Sequence, residues 1–102
     1  MTFTFLYVTC SDMKEANNIS KTLLSKKLIA CANFFPVESM YQWKGKIKKG
    51  KEAVLILKTM KNKVAMVRKE IEKMHSYEIP CITEITVKPN EGYGKWLEGQ
   101  MK

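Results

Sequence analysis

The stretch Ala30–Thr59, ACANFFPVESMYQWKGKIKKGKEAVLILKT, constrains this chain more than any other. Its two ends are apolar and rich in strand formers. Its middle, Gly45 to Gly50, is short, lysine-rich and bounded by glycines. The pattern predicts a β-hairpin with arms of roughly a dozen residues, about twice the usual strand length. Arms that long overrun the edge of a small domain. The overhang carries Met40, Tyr41 and Trp43, which a lone copy has little to bury against, so a second subunit is expected to cover them. Pro36 cannot donate to a ladder, which puts the first arm at a sheet edge or at a bulge.

The segments around the hairpin alternate between two periods. Thr2 to Cys10 is apolar on both faces, with Phe3, Phe5 and Tyr7 on one and Leu6, Val8 and Cys10 on the other, so it reads as a central strand. Glu52 to Thr59 has the same double-sided character. Asp12 to Lys27 is helical in period, with Ala16, Ile19, Leu23 and Leu24 recurring, Asp12 as N-cap and Glu15 as its reciprocal partner. Asn62 to His75 is a second amphipathic helix, capped by Asn62 and ending before Pro80. Ile82 to Lys88 alternates as a half-exposed strand. Pro89 to Gly92 is a turn, and Tyr93, Trp96, Leu97 and Met101 line one side of a closing helix. The order is βαββαβ plus a C-terminal helix. It predicts one α+β domain over residues 1–102: a ferredoxin-like antiparallel sheet, first and third strands central, with a long β2–β3 hairpin. Two helices cover one face of such a sheet. A closed homo-oligomer with sheets facing inward is the simplest cover for the other.

Composition narrows the function classes. The chain is 45% hydrophobic and 27% charged, with no apolar run near the roughly 20 residues of a membrane span. The opening MTFTFLYVTC lacks a basic leader and reads as a strand, which favours the cytoplasm and no membrane partner. Cys10, Cys31 and Cys81 are odd in number and form no C-x-x-C pair, so reduced thiols are expected. The net charge of +8 could attract nucleic acid or anionic metabolites. Arg68 is the only arginine, however, and base and phosphate readers favour arginine, so a solvated lysine surface is the plainer reading. The third strand, AVLILKT, lacks the aromatics of an RNA-recognition motif. No phosphate loop, H-E-x-x-H or G-x-S-x-G is present, and no nucleophile accompanies the single histidine, so an enzyme is not expected.

That histidine, His75, falls where the second helix ends, beside Met74 and near Tyr77 and Glu78. An imidazole with sulfur donors suits Cu(I) or another soft ion. It equally suits the partial negative charge of a helix C-terminus.

Three stretches read together carry a resemblance. They are Ala30-Cys31-Ala32-Asn33 followed by Pro36, then Ser39-Met40-Tyr41-Gln42-Trp43-Lys44-Gly45 running on to Glu52 and Lys58-Thr59, and His75-Ser76-Tyr77-Glu78-Ile79-Pro80. The combination resembles the CutA family of divalent-cation-tolerance proteins over nearly the whole chain. The resemblance implies a compact ferredoxin-like homotrimer, related to the PII-like trimers, with no assigned catalytic reaction and a link to tolerance of copper and other divalent ions. Some copper-binding relatives carry a first-strand cysteine where Val8 stands here, and some a second histidine where Met74 stands. Cys10, two residues on and on the same strand face as Val8, is the substitute donor, so the implied metal set is His75 with Met74 and Cys10. Copper or another divalent ion is then a ligand, not an obligatory cofactor. Cys31, Tyr41, Trp43, Glu52, Lys58, Tyr77 and Glu78 match family positions. They line an inter-subunit cleft, with Lys58 neutralising an anion, or else Cys31 is a core residue and the others serve as interface contacts. Two functions follow: a non-catalytic metal binder or sensor, or a PII-like regulatory module that takes a small anionic metabolite or a partner protein at its clefts.

Overall fold

A computed structural model describes residues 2–102. Strand β1 (Phe3–Cys10) leads into helix α1 (Met13–Ser25). The hairpin of β2 (Cys31–Trp43) and β3 (Lys46–Met60) follows. A single 3-10 turn at Lys61–Lys63 then opens α2 (Val64–Met74), before β4 (Ile82–Val87) and α3 (Glu91–Gln100). The four strands form one antiparallel sheet in the order β2-β3-β1-β4. The two strands that are apolar on both faces, β1 and β3, are the central pair, as their composition requires.

Alternation along those strands builds two layers. Leu6, Val8 and Cys10 of β1 and Ala53, Leu55 and Leu57 of β3 point to one side. There they pack with Ala16, Ile19 and Leu23 of α1 and Val64, Val67 and Ile71 of α2. Each of these larger side chains, fully removed from water, contributes about 1.5–3 kcal/mol. On the other side, α3 covers one corner: Leu97 and Met101 pack with Ala30 and Met60, against Phe3 and Tyr93. Gly94 permits this approach, because a Cβ there would sit 3.3 Å from the Phe3 ring. The remainder of that face stays wet, with Tyr7 37%, Phe35 42% and Ile85 46% exposed.

The hairpin is longer and its turn tighter than the glycine spacing suggests. The loop is two residues, Lys44-Gly45, both at positive φ (52° and 77°), the pattern of a type I′ turn. That turn matches the twist of the flanking strands, so Lys46 to Gly50, expected as loop, continues β3 instead. Pairing runs unbroken from Cys31 opposite Lys58 to Trp43 opposite Lys46. Pro36 sits within it because β2 is an edge strand with one neighbour. The overhang stretches the molecule to 45 × 24 × 21 Å, with a radius of gyration of 14.3 Å against about 13 Å for a compact chain of this length. Met40 (69%) and Ile47 (70%) stand exposed on it.

Three local expectations are corrected. Asn62 caps nothing: it lies inside the 3-10 turn, and α2 begins at Val64 without a side-chain cap. Asp12 does cap α1, its carboxylate accepting the Glu15 N–H at 2.8 Å, but Glu15 returns to the Ser11 N–H at 2.9 Å and not to the cap residue. Trp96 lies outside the α3 core stripe, exposed and stacked on Tyr93 with centroids 5.6 Å apart.

Nothing lies within 4 Å of a Cβ built on Gly45, so substitution there is a pure backbone test. Gly45→Ala should destabilise by about 1–2 kcal/mol through its left-handed φ, and Gly45→Asn by clearly less. Denaturant midpoints of the two variants at one protein concentration check this.

Candidate metal centre and neighbouring cleft

The end of β1, the start of α1 and the chain leaving α2 converge at one end of the sheet. Their meeting brings the ligand atoms of Cys10, Glu15 and His75 within 4.8 Å of one another. Cys10 is the last residue of β1 and points into the helix-side core, fully buried. Glu15 lies in the first turn of α1. His75 ends α2: its N–H still bonds Ile71 O at 2.9 Å, while its own backbone is already extended.

Hydrogen bonds fix His75 and Glu15. His75 Nε2 lies 2.8 Å from the Thr9 carbonyl, and His75 Nδ1 accepts the Tyr77 N–H at 3.1 Å. A carbonyl only accepts, so Nε2 carries the proton and Nδ1 the lone pair. Glu15 spends one oxygen on the Ser11 N–H and the other on the Ser76 N–H, both at 2.9 Å, tying the start of α1 to the chain after α2. Burial alone would raise its pKa. The bonds from Ser11 and Ser76 outweigh that and hold it below the usual carboxylate range. Burial, then the charges of Glu15, Asp12 and Glu52, push the Cys10 thiol up to about 12.

This donor set fits a metal ion. Bonds of 2.0–2.3 Å place the ligand atoms about 3.5 Å apart, so a closure of about 1 Å completes the set. Thiolate, imidazole and carboxylate together suit copper or zinc. His75 and Cys10 are thus brought together as the sequence suggested. Met74 packs against the main core and lines a small hollow with Asp12 and Glu15. Glu15, read from the sequence only as a cap partner, is the addition. No spacing announces it, because only folding brings the start of α1 to the end of α2.

A cleft of about 690 Å³ lies next to this cluster, beneath the hairpin overhang. Tyr41 and Trp43 of β2, Glu52 of β3 and Tyr77 and Glu78 of the following segment line it, with Thr9 and Cys81. Tyr77 donates its hydroxyl to Glu52 at 2.5 Å. Burial first, and that bond second, raise the pKa of the phenol. Cys31 and Lys58, expected with them in a cleft between subunits, do not line this cleft of a single copy. They face each other across β2 and β3, and Lys58 Nζ reaches Tyr93 OH at 3.2 Å, 5.2 Å from that ring and 5.5 Å from the Phe5 ring. The physical reason is distance along the strand: six residues separate Lys58 from Glu52, about 20 Å at 3.3 Å per residue. The lining therefore holds two carboxylates and no basic side chain, an environment that does not favour an anion.

A thiol with a pKa of about 12 is ionised to about one part in ten thousand at pH 8. In the native protein at that pH, Cys10 should resist DTNB and react only after denaturation. Peptide mapping of the labelled thiols checks this.

A family model described as CutA1 divalent ion tolerance protein matches residues 4–100. The divalent-cation tolerance protein CutA of Archaeoglobus fulgidus is 47% identical over 83 residues, 81% of each chain. That of Pyrococcus horikoshii is 40% identical over 98 residues, 95% of this chain and 96% of the other. The solved structure of the periplasmic divalent cation tolerance protein CutA from Archaeoglobus fulgidus matches with a TM-score of 0.95 at 40% identity, over 98% of this chain and 99% of that one. CutA1 from Oryza sativa matches with a TM-score of 0.95 at 28% identity, over 100% and 95% of the two chains. Sequence pattern, sheet order and these matches agree, and the chain belongs to the CutA divalent-cation-tolerance family.

Proposed function

We propose that this protein is a non-catalytic, homotrimeric binder of copper or a related soft or borderline divalent ion, acting as a sensor or buffer. The observation that carries the proposal is the convergence of Cys10, Glu15 and His75 within 4.8 Å. Glu15 is held ionised and needs no proton change to ligate. Cys10 must release its proton, and His75 must give up a hydrogen bond. Each binding event therefore competes with interactions the empty protein already makes. That competition favours weak, reversible capture over a permanent structural site.

Self-association belongs to the same reading. The wet face of the sheet and the exposed Met40, Trp43 and Ile47 of the overhang form more apolar surface than one copy covers. The reading also requires a reducing compartment, the cytoplasm, where Cys10, Cys31 and Cys81 persist as thiols.

Competition titrations with Zn(II), and with Cu(I) under reductant, should give one ion per subunit. Cys10→Ser and His75→Ala should each weaken binding by more than the roughly 10–100-fold typical of an outer-shell partner. Equal binding by all three proteins overturns the site. Sedimentation velocity should show a species of three 11.8 kDa chains, and a stable monomer at micromolar concentration overturns the trimer.

A further inference from the structure

We infer that a metal ion on His75 is coupled to the cleft beneath the hairpin through the backbone amide of Tyr77. The inference rests on the metal-binding reading above and adds a mode of regulation to it.

The imidazole leaves no alternative. Nδ1 accepts the Tyr77 N–H, and Nε2 donates to the Thr9 carbonyl. If Nδ1 ligates the ion, its lone pair is consumed and Tyr77 N–H loses its acceptor. If Nε2 ligates, its proton moves to Nδ1, and Nδ1–H then faces Tyr77 N–H, donor against donor. Either route releases the same amide. Glu15 is different: a carboxylate oxygen has two lone pairs and can ligate while still accepting from Ser76. The disturbance therefore falls on one residue.

That residue is anchored at its other end inside the cleft. The Tyr77 hydroxyl donates to Glu52, its ring packs 4.8 Å from the His75 ring, and Tyr41 and Trp43 complete the wall. A Tyr77 amide that has lost its acceptor turns toward water or a new acceptor, and the phenol shifts with the backbone that carries it. Occupancy at His75 is thereby reported at the cleft. By linkage, whatever stabilises the Tyr77–Glu52 bond weakens metal binding by the same factor.

The test compares apo and Zn(II)-loaded protein by 15N-resolved amide exchange, zinc being diamagnetic and redox-silent. The Tyr77 amide should exchange at least tenfold faster when loaded, with no comparable change in His75→Ala given the same zinc. Tyr77→Phe removes only the tether to Glu52, and it should bind Zn(II) about fivefold or more tightly than wild type. If zinc binds while the Tyr77 amide keeps its protection, the coupling is overturned and the metal site stands. Should wild type bind no zinc, both fall. Unchanged or weakened binding by Tyr77→Phe leaves the hydroxyl a purely structural contact and likewise overturns the coupling.

Discussion

The structure depends on two central strands that are apolar on both faces. Leu6, Val8, Leu55 and Leu57 on one side of β1 and β3 are satisfied by α1 and α2. On the other side, α3 is too short to cover more than the corner around Phe3 and Met60. The placement of the candidate site follows from this arrangement. Helices laid on one face must start and finish at the strand ends. The end of β1 is therefore where a first-turn acid of α1 and the terminal histidine of α2 come to share space with Cys10.

Electrostatically, that meeting place is poised between two uses. Glu15 is held as an anion by two backbone N–H groups, and the same anion helps keep the Cys10 thiol protonated. His75 is held between a carbonyl and an amide. Every donor is thus stabilised in a form that serves the empty fold. A permanent metal site is organised the opposite way, with partners that orient free lone pairs toward the ion.

Much of the fold was legible in the sequence. Period and double-sided apolarity located β1 and β3, and Pro36 marked the edge strand. The turn was not, because Gly45 and Gly50 bracket a lysine run that looks like a loop. Only the pairing of Trp43 with Lys46 makes it a strand. In the site, His75 was legible through residue chemistry, and Cys10 only through the family resemblance that pointed to the first strand. Glu15 was hidden behind a capping role that it also performs. Lys58 was grouped with Glu52 by the family match, and within one copy the two stand six residues apart along β3.

The lysines along the hairpin have a further consequence for how copies approach. Lys46 and Lys48 stand opposite Trp43 and Tyr41 on the projecting ladder, and Lys44 lies 6.0 Å from the Trp43 ring centroid. Two such tips brought side by side would set ammonium against ammonium next to exposed aromatic surface, where little water is left to screen them. The hairpin is therefore adhesive toward an unlike surface and repellent toward its own kind. That disfavours edge-to-edge pairing of one hairpin with another.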